Sequence, residues 1–140
     1  MEHIYAISAC LVGKNVKYDG TNNLNDGVIN FLKDKKYILI CPEVAGCLPT
    51  PRVPSEIKNK RVINKNNEDV TENFLLGAEK EMNRLIANHV DVVILKSNSP
   101  SCGYKKIYDG TFSGKLIDGN GIFTELAIKN NIKVLTEKDI

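Results

Sequence analysis

The sequence predicts a small three-layer, Rossmann-like α/β domain with a mainly parallel sheet and helices on both faces. Short apolar runs rich in β-branched residues alternate along the chain with segments of helical periodicity. The runs are apolar throughout, as is typical of strands buried on both faces of a parallel sheet. The length of 140 residues fits one domain. We therefore interpret residues 1–140 as a single domain.

The first half of the chain predicts a strand, a helix and a second strand. Residues 4–8 form an apolar run of strand length. Residues 24–35 carry apolar side chains at the spacing of one helix face, with Asn22 and Asn23 before them as candidate N-caps. Residues 37–40 form the next strand. The three elements make a βαβ unit, whose crossover is expected to be right-handed.

The second half of the chain continues the alternation. A long helical stripe of apolar residues follows Asp69 and Glu72, whose spacing has the form of a capping box. A strand, a helix and a last strand then follow at residues 91–95, 123–129 and 133–135. All the predicted strands would lie parallel in one sheet.

Two long segments lie outside this pattern. Residues 42–60 contain four of the five prolines, and residues 100–121 are rich in glycine and include the turn signal Asp109-Gly110. Both are interpreted as ordered loops or short hairpins, which tend to be functional at this length. The Asn- and Lys-rich stretch 58–67 is expected to be a solvated connection.

Composition excludes several classes of protein. Nineteen Lys and Arg stand against 17 Asp and Glu, and these charges are dispersed, so a nucleic-acid partner is not indicated. The sequence contains no apolar run long enough to cross a bilayer and no signal peptide, which predicts a cytoplasmic protein. A reducing cytoplasm disfavours disulfides. The four cysteines are therefore buried fillers, metal or cluster ligands, or reactive thiols.

Three of the cysteines occupy equivalent places in the predicted topology. Cys10, Cys41 and Cys102 all come after the ends of predicted strands, and ligands of open α/β sheets bind at that edge. A lone cysteine is more often a buried filler. Cys41 and Cys102, however, have polar and proline-framed neighbours, which filler cysteines usually lack. We therefore favour a shared ligand role.

Six short segments of the chain are distinctive in combination. They are Ser8-Ala9-Cys10-Leu11, Tyr18-Asp19-Gly20, Cys41-Pro42-Glu43-Val44 with Leu48-Pro49-Thr50-Pro51-Arg52, Asp69-Val70-Thr71, Ser99-Pro100-Ser101-Cys102-Gly103, and Tyr108-Asp109-Gly110-Thr111-Phe112-Ser113-Gly114-Lys115. In this order, and over essentially the whole chain, the sequence resembles the thiouracil desulfidase family. This small iron-sulfur family was long catalogued as a domain of unknown function.

The resemblance implies a 4Fe-4S cluster held by three cysteines. Carried over segment by segment, the ligands would be Cys10, Cys41 and Cys102. Cys47 departs from the family pattern, which more often has glycine there. We expect Cys47 to be a loop thiol without a role. The alternative is that Cys47 supplies a fourth ligand and closes the open iron.

A cluster with three protein ligands leaves one iron as an open Lewis acid, whereas four ligands give a saturated electron carrier. Iron in a sulfide environment favours soft sulfur donors, so a thiocarbonyl is the matching substrate group. The implied reaction is hydrolytic, non-redox removal of sulfur from a thiolated pyrimidine, giving uracil and sulfide from thiouracil. Free thiobase, thionucleoside and thiolated tRNA all carry this group, and a small-molecule thiolated base is the expected partner.

Three side chains are predicted to carry catalysis. Glu43 lies two residues beyond Cys41 and is the candidate general acid/base. Ser101, and after it Ser99, would hold substrate or activate water, although serine beside proline is also a turn former. Arg52 would either anchor an anionic or carbonyl group or form a structural ion pair.

Two rival functions remain open at this stage. The first is a cluster- or zinc-binding structural or electron-transfer module in which Cys47 is the fourth ligand. The second is a sulfur carrier that uses thiols and no metal. A saturated metal site would distinguish the first from a desulfidase, and a colourless protein after reconstitution would favour the second.

Overall fold

The computed structural model describes residues 2–140 and has a four-stranded parallel sheet at its centre. The sheet consists of β1 (Ile4–Ser8), β2 (Lys36–Ile40), β5 (Val92–Leu95) and β8 (Lys133–Thr136). The strand order is β2-β1-β5-β8, and every neighbouring pair is parallel. The predicted parallel sheet and mixed α/β class are confirmed.

Helices cover both faces of the sheet. Helix α1 (Asp26–Leu32) lies on one face, and helices α3 (Thr71–Ala87) and α4 (Ile122–Lys129) lie on the other. Alternation along β1 explains this arrangement. Tyr5 and Ile7 pack with α1, whereas Ala6 packs with α3 and α4. The three-layer prediction is therefore correct.

Helix α1 is shorter than the predicted 24–35. It begins at Asp26, and its N-cap is Asn25, whose Oδ1 accepts from the backbone N–H of Val28 at 3.0 Å. The prediction of Asn22 or Asn23 as the cap was wrong. Asn23 instead donates its side-chain N–H to Cys10 Sγ at 3.4 Å.

The capping box predicted at Asp69 and Glu72 is not formed. Helix α3 has Val70 as its N-cap, without a side-chain hydrogen bond. Asp69 Oδ1 accepts from the backbone N–H of Thr71 at 2.9 Å, and its other oxygen pairs with Arg61 at 2.8 Å. The Asp69 carboxylate thus binds the backbone N–H of Thr71 and not that of Glu72, which a capping box would require.

Two antiparallel hairpins interrupt the alternation. One pairs β3 (Ser55–Lys58) with β4 (Arg61–Asn64), and the other pairs β6 (Lys106–Tyr108) with β7 (Leu116–Asp118). Ordered loops or short hairpins were expected in both long segments. The interpretation of residues 58–67 as a solvated connection was wrong for β4, because Val62 is fully buried.

A short helix, α2 (Pro42–Ala45), follows β2 and packs closely on α3. The contact depends on two glycines. A Cβ on Gly77 would overlap the carbonyl oxygen of Pro42, and a Cβ on Gly46 would overlap that of Asn73. Small residues here fix the turn that follows Cys41. Within residues 2–140, none of the helices is long and apolar enough to cross a membrane.

Candidate active site

A cavity of about 460 Å³ opens at the carboxyl edge of the sheet. Cys10, Cys41 and Cys102 all line it. Cys10 and Cys41 are half-buried, and Cys102 is buried. Strand order reverses between β1 and β5, so the cavity lies where open α/β sheets bind their ligands. The fold thus brings together thiols that are far apart in sequence.

Each of the three thiols is positioned by its own local contacts. Cys10 lies in a one-turn 3₁₀ helix, Ala9–Val12, directly after β1. The backbone N–H of Cys41 donates to Glu81 Oε2 at 2.8 Å, and that of Cys102 donates to Ser99 Oγ at 2.7 Å. Glu81 is a buried side chain of α3 that the sequence analysis missed. Glu81 lies 40 residues from Cys41 in the sequence, so no local sequence pattern indicated this contact.

The cysteine environments disfavour a free reactive thiol. Burial raises the pKa of Cys102 to about 12, although hydrogen bonds from Ser8 and Ser101 act in the opposite direction. Burial is also the main reason why the pKa values of Cys10 and Cys41 are raised. Nucleophilic thiols need a lowered pKa and partial exposure. Binding to a metal deprotonates a thiol regardless of such burial.

Glu43 lies between a cation and a hydroxyl group in the cavity wall. Its Oε1 is 3.1 Å from Arg52 Nε, and its Oε2 accepts from Ser101 Oγ at 2.8 Å. The Arg52 and Glu43 side chains are only 7% and 15% exposed. Arg52 was predicted either to anchor an anionic or carbonyl group or to form a structural ion pair, and the geometry is that of an ion pair. A desolvated pair of this kind holds its carboxylate in one orientation.

The two predicted serines differ in their contacts. Ser101 Oγ is bonded to Glu43 and also lies 3.6 Å from Cys102 Sγ. Ser99 Oγ accepts the N–H of Cys102 and lies 3.4 Å from Ser101 Oγ. Ser99 therefore shapes the turn, whereas Ser101 connects the carboxylate to the thiol. Both line the cavity.

Cationic side chains line the same cavity as the thiols, and the sequence analysis missed three of them. Lys17, Lys65 and Lys96 line the cavity together with Arg52. Lys96 Nζ is 3.3 Å from Glu137 Oε2. Nearby positive charge favours ionised thiolates. Lys96 directly follows β5. Its position beyond the carboxyl end of a strand, which also selected the cysteines, could have identified it from the sequence.

Cys47 lies apart from this group. It is exposed, it does not line the cavity, and its φ of 68° places it in a left-handed turn after α2. Across residues 2–140, no three His, Cys, Asp or Glu side chains meet as ligands of one metal ion. Ligands of a cluster bind different irons and lie farther apart.

Comparison with known proteins identifies the family. The family model described as 2-thiouracil desulfurase matches residues 5–139. The chain belongs to the 2-thiouracil desulfurase family. All the cavity-lining segments described above fall within the matched range.

Two relatives cover almost the whole chain. The Bacillus subtilis protein YbbK, described as uncharacterized, is 35% identical over an alignment of 144 positions that covers 96% of this chain and 95% of YbbK. A solved structure described as the 4Fe-4S-dependent thiouracil desulfidase TudS is 37% identical, with a TM-score of 0.92 over 100% of this chain and 93% of that one. The resemblance noted from the six segments is thus confirmed for this desulfurase family and its fold.

Proposed function

We propose that this protein hydrolyses the thiocarbonyl group of a thiolated pyrimidine such as thiouracil, releasing uracil and sulfide. Three thiols from separate strand ends share one cavity with the bonded pair Glu43 and Ser101. This arrangement, in a chain of the 2-thiouracil desulfurase family, is the observation that carries the proposal. The similar protein TudS is described as a 4Fe-4S-dependent thiouracil desulfidase.

The donor set fits a 4Fe-4S cluster. Thiolates are the usual ligands of such clusters, and Cys10, Cys41 and Cys102 would hold this one. The cations along the cavity would balance the negative charge of three thiolates. When bound, a cluster with three protein ligands would supply an iron that binds sulfur and polarises the C=S bond.

Glu43 is proposed to handle the proton. Its carboxylate accepts a proton from the water that adds to the thiocarbonyl carbon and passes it to the sulfur. It then accepts the second proton, from the new hydroxyl group, and passes it to the departing sulfur as the C=O bond forms and the C–S bond breaks. The balance is thiocarbonyl plus water to carbonyl plus hydrogen sulfide, with no change in oxidation state. Arg52 and Ser101 keep the two carboxylate oxygens in fixed positions. A general acid/base held in this way accelerates a reaction by about 100- to 10,000-fold.

Ser101 is proposed as the second catalytic group and Ser99 as its support. The Ser101 hydroxyl lies between Glu43 and the thiol of Cys102, which suits it to orient water or substrate. Ser99 holds the backbone of Cys102 and lies beside Ser101. Ser99 thus acts mainly through the geometry of the turn.

Anaerobic reconstitution with iron and sulfide, followed by turnover of 2-thiouracil, tests the proposed function. We expect a brown protein with about four irons per chain, since a 4Fe-4S cluster contains four, and equal amounts of uracil and sulfide. A colourless, inactive protein would favour the metal-free carrier. A coloured protein that binds no added thiolate and converts no thiouracil would favour the saturated electron-transfer module.

A further inference from the structure

A second carboxylate, that of Glu56, lines the cavity and has no part in the chemistry proposed above. Glu56 belongs to β3 and is 8% exposed. Its Oε1 accepts two backbone N–H groups, from Gly110 at 3.0 Å and from Phe112 at 3.1 Å. The carboxylate therefore ties the β6–β7 loop to the first hairpin.

The other oxygen, Glu56 Oε2, makes no hydrogen bond within residues 2–140. In this part of the chain, the only fully buried side-chain oxygen or nitrogen without a partner is Thr124 Oγ1. Glu56 Oε2 is therefore not fully buried without a partner, and Glu56 is one of the residues that line the cavity. A carboxylate oxygen that is largely removed from solvent and lacks a donor is suited to accept one from a ligand.

Aromatic side chains accompany this free oxygen. Phe112 lines the cavity and its backbone N–H donates to Glu56, so the two residues belong to the same part of the cavity wall. Tyr18 and Tyr108 line the cavity as well. The β6–β7 loop passes close to the first hairpin at Gly110, which has no side chain. A Cβ at this position would lie only 2.7 Å from Lys58 Cβ. An aromatic face beside an acceptor matches a planar heterocycle that carries an N–H on its edge.

We propose that Glu56 Oε2 accepts a hydrogen bond from a ring N–H of the thiolated pyrimidine and thereby selects the base. This inference rests on the proposed function. Glu56 acts on binding and takes no part in proton transfer, so its removal raises KM and leaves kcat nearly unchanged. Phe112 contributes the adjacent aromatic surface.

The variant Glu56→Gln separates the two roles of this side chain. The glutamine carbonyl can still accept from Gly110 and Phe112, while its amide replaces the free acceptor with a donor. Loss of a hydrogen bond to a charged group predicts a rise of about 10- to 100-fold in the KM for 2-thiouracil. Cluster content and kcat should stay close to wild type. Glu72→Gln, an exposed carboxylate on α3, is the matched control and should change neither constant.

Competitive inhibition of 2-thiouracil turnover provides a second measurement, in which the test compounds themselves are not desulfurised. Uracil, 1-methyluracil and 3-methyluracil are compared as inhibitors of the wild type and of Glu56→Gln. We expect methylation at one ring nitrogen to weaken inhibition of the wild type. The factor should equal that by which Glu56→Gln weakens inhibition by uracil. That analogue should then bind both proteins equally.

The outcomes distinguish this inference from the proposed function. A wild type that neither binds nor desulfurises thiouracil overturns both. A wild type that turns over, together with an unchanged KM in Glu56→Gln, overturns the inference alone and leaves Glu56 as a loop anchor. If Glu56→Gln does not load its cluster, the inhibitor series on the wild type decides. Equal inhibition by all three compounds would refute recognition of a ring N–H.

Discussion

Removing the Arg52 guanidinium tests the contact that fixes Glu43. Arg52 donates hydrogen bonds to Glu43 and to three neutral acceptors, which are Pro49 O, Thr50 Oγ1 and Val16 O. Arg52→Met keeps the apolar stem and removes every one of these bonds. The Glu43 side chain, 15% exposed, is then left without its counter-charge.

The expected loss follows from these contacts. A hydrogen bond to a charged group contributes about 1.5–3 kcal/mol and a neutral one about 1 kcal/mol. Water entering from the cavity partly replaces them, so we expect a loss of about 3–4 kcal/mol, within the usual range for breaking a buried ion pair. Unfolding entropy for 140 residues is about 0.3 kcal/mol per K. The melting temperature should therefore fall by about 10–14 °C.

The assay is thermal unfolding of reconstituted Arg52→Met, with turnover measured well below its Tm. The matched control is Arg61→Met, which breaks an exposed ion pair to Asp69, with side chains 50% and 42% exposed. Exposed pairs contribute at most about 1 kcal/mol. Turnover should fall at least about 10-fold in Arg52→Met alone, because Glu43 loses its fixed orientation. Equal shifts in Tm for the two variants would refute the reasoning.

Three further predictions address the same site. Glu43→Gln should keep the cluster and the spectral shift on adding thiouracil but slow turnover by about 100-fold or more; wild-type turnover would transfer the proton role to Ser101 or to water. Serine variants of the proposed ligands, Cys10, Cys41 and Cys102, should lose iron and visible absorbance, whereas Cys47→Ser should keep both. Loss of the cluster in Cys47→Ser with retention in the other variants would overturn the ligand assignment. In a helix, Gly→Ala usually stabilises by about 1 kcal/mol, but in Gly77→Ala the new Cβ overlaps Pro42 O. Its Tm and cluster content should therefore fall, and a raised Tm would contradict the packing argument.

The start of helix α1 shows how far local pattern reaches. Three asparagines, at positions 22, 23 and 25, are all suitable caps by residue type. The structure uses Asn25, since Asn23 is held by Cys10 through both its side chain and its backbone. The sequence predicted a helix here correctly but not the residue at which it begins.

The start of helix α3 has the same explanation. Asp69 fits a capping box by spacing, yet it pairs with Arg61 of the neighbouring hairpin. The carboxylate binds the backbone N–H of Thr71 through one oxygen and a charged partner, brought close by tertiary packing, through the other. No pattern within one helix reports such a partner.

The sequence alone determined the alternation of strands and helices, the parallel sheet and the position of three cysteines after strand ends. Each of these depends on periodicity or on residue order, both of which can be read directly from the chain. Only the tertiary structure decided which side chains hold the site together. Glu81 reaches Cys41 across 40 residues, Glu56 reaches Gly110 across 54, and Ser101 reaches Glu43 across 58. Such hydrogen bonds depend on the paths of loops and hairpins, which carry no repeating pattern, so they become visible only once the chain has folded.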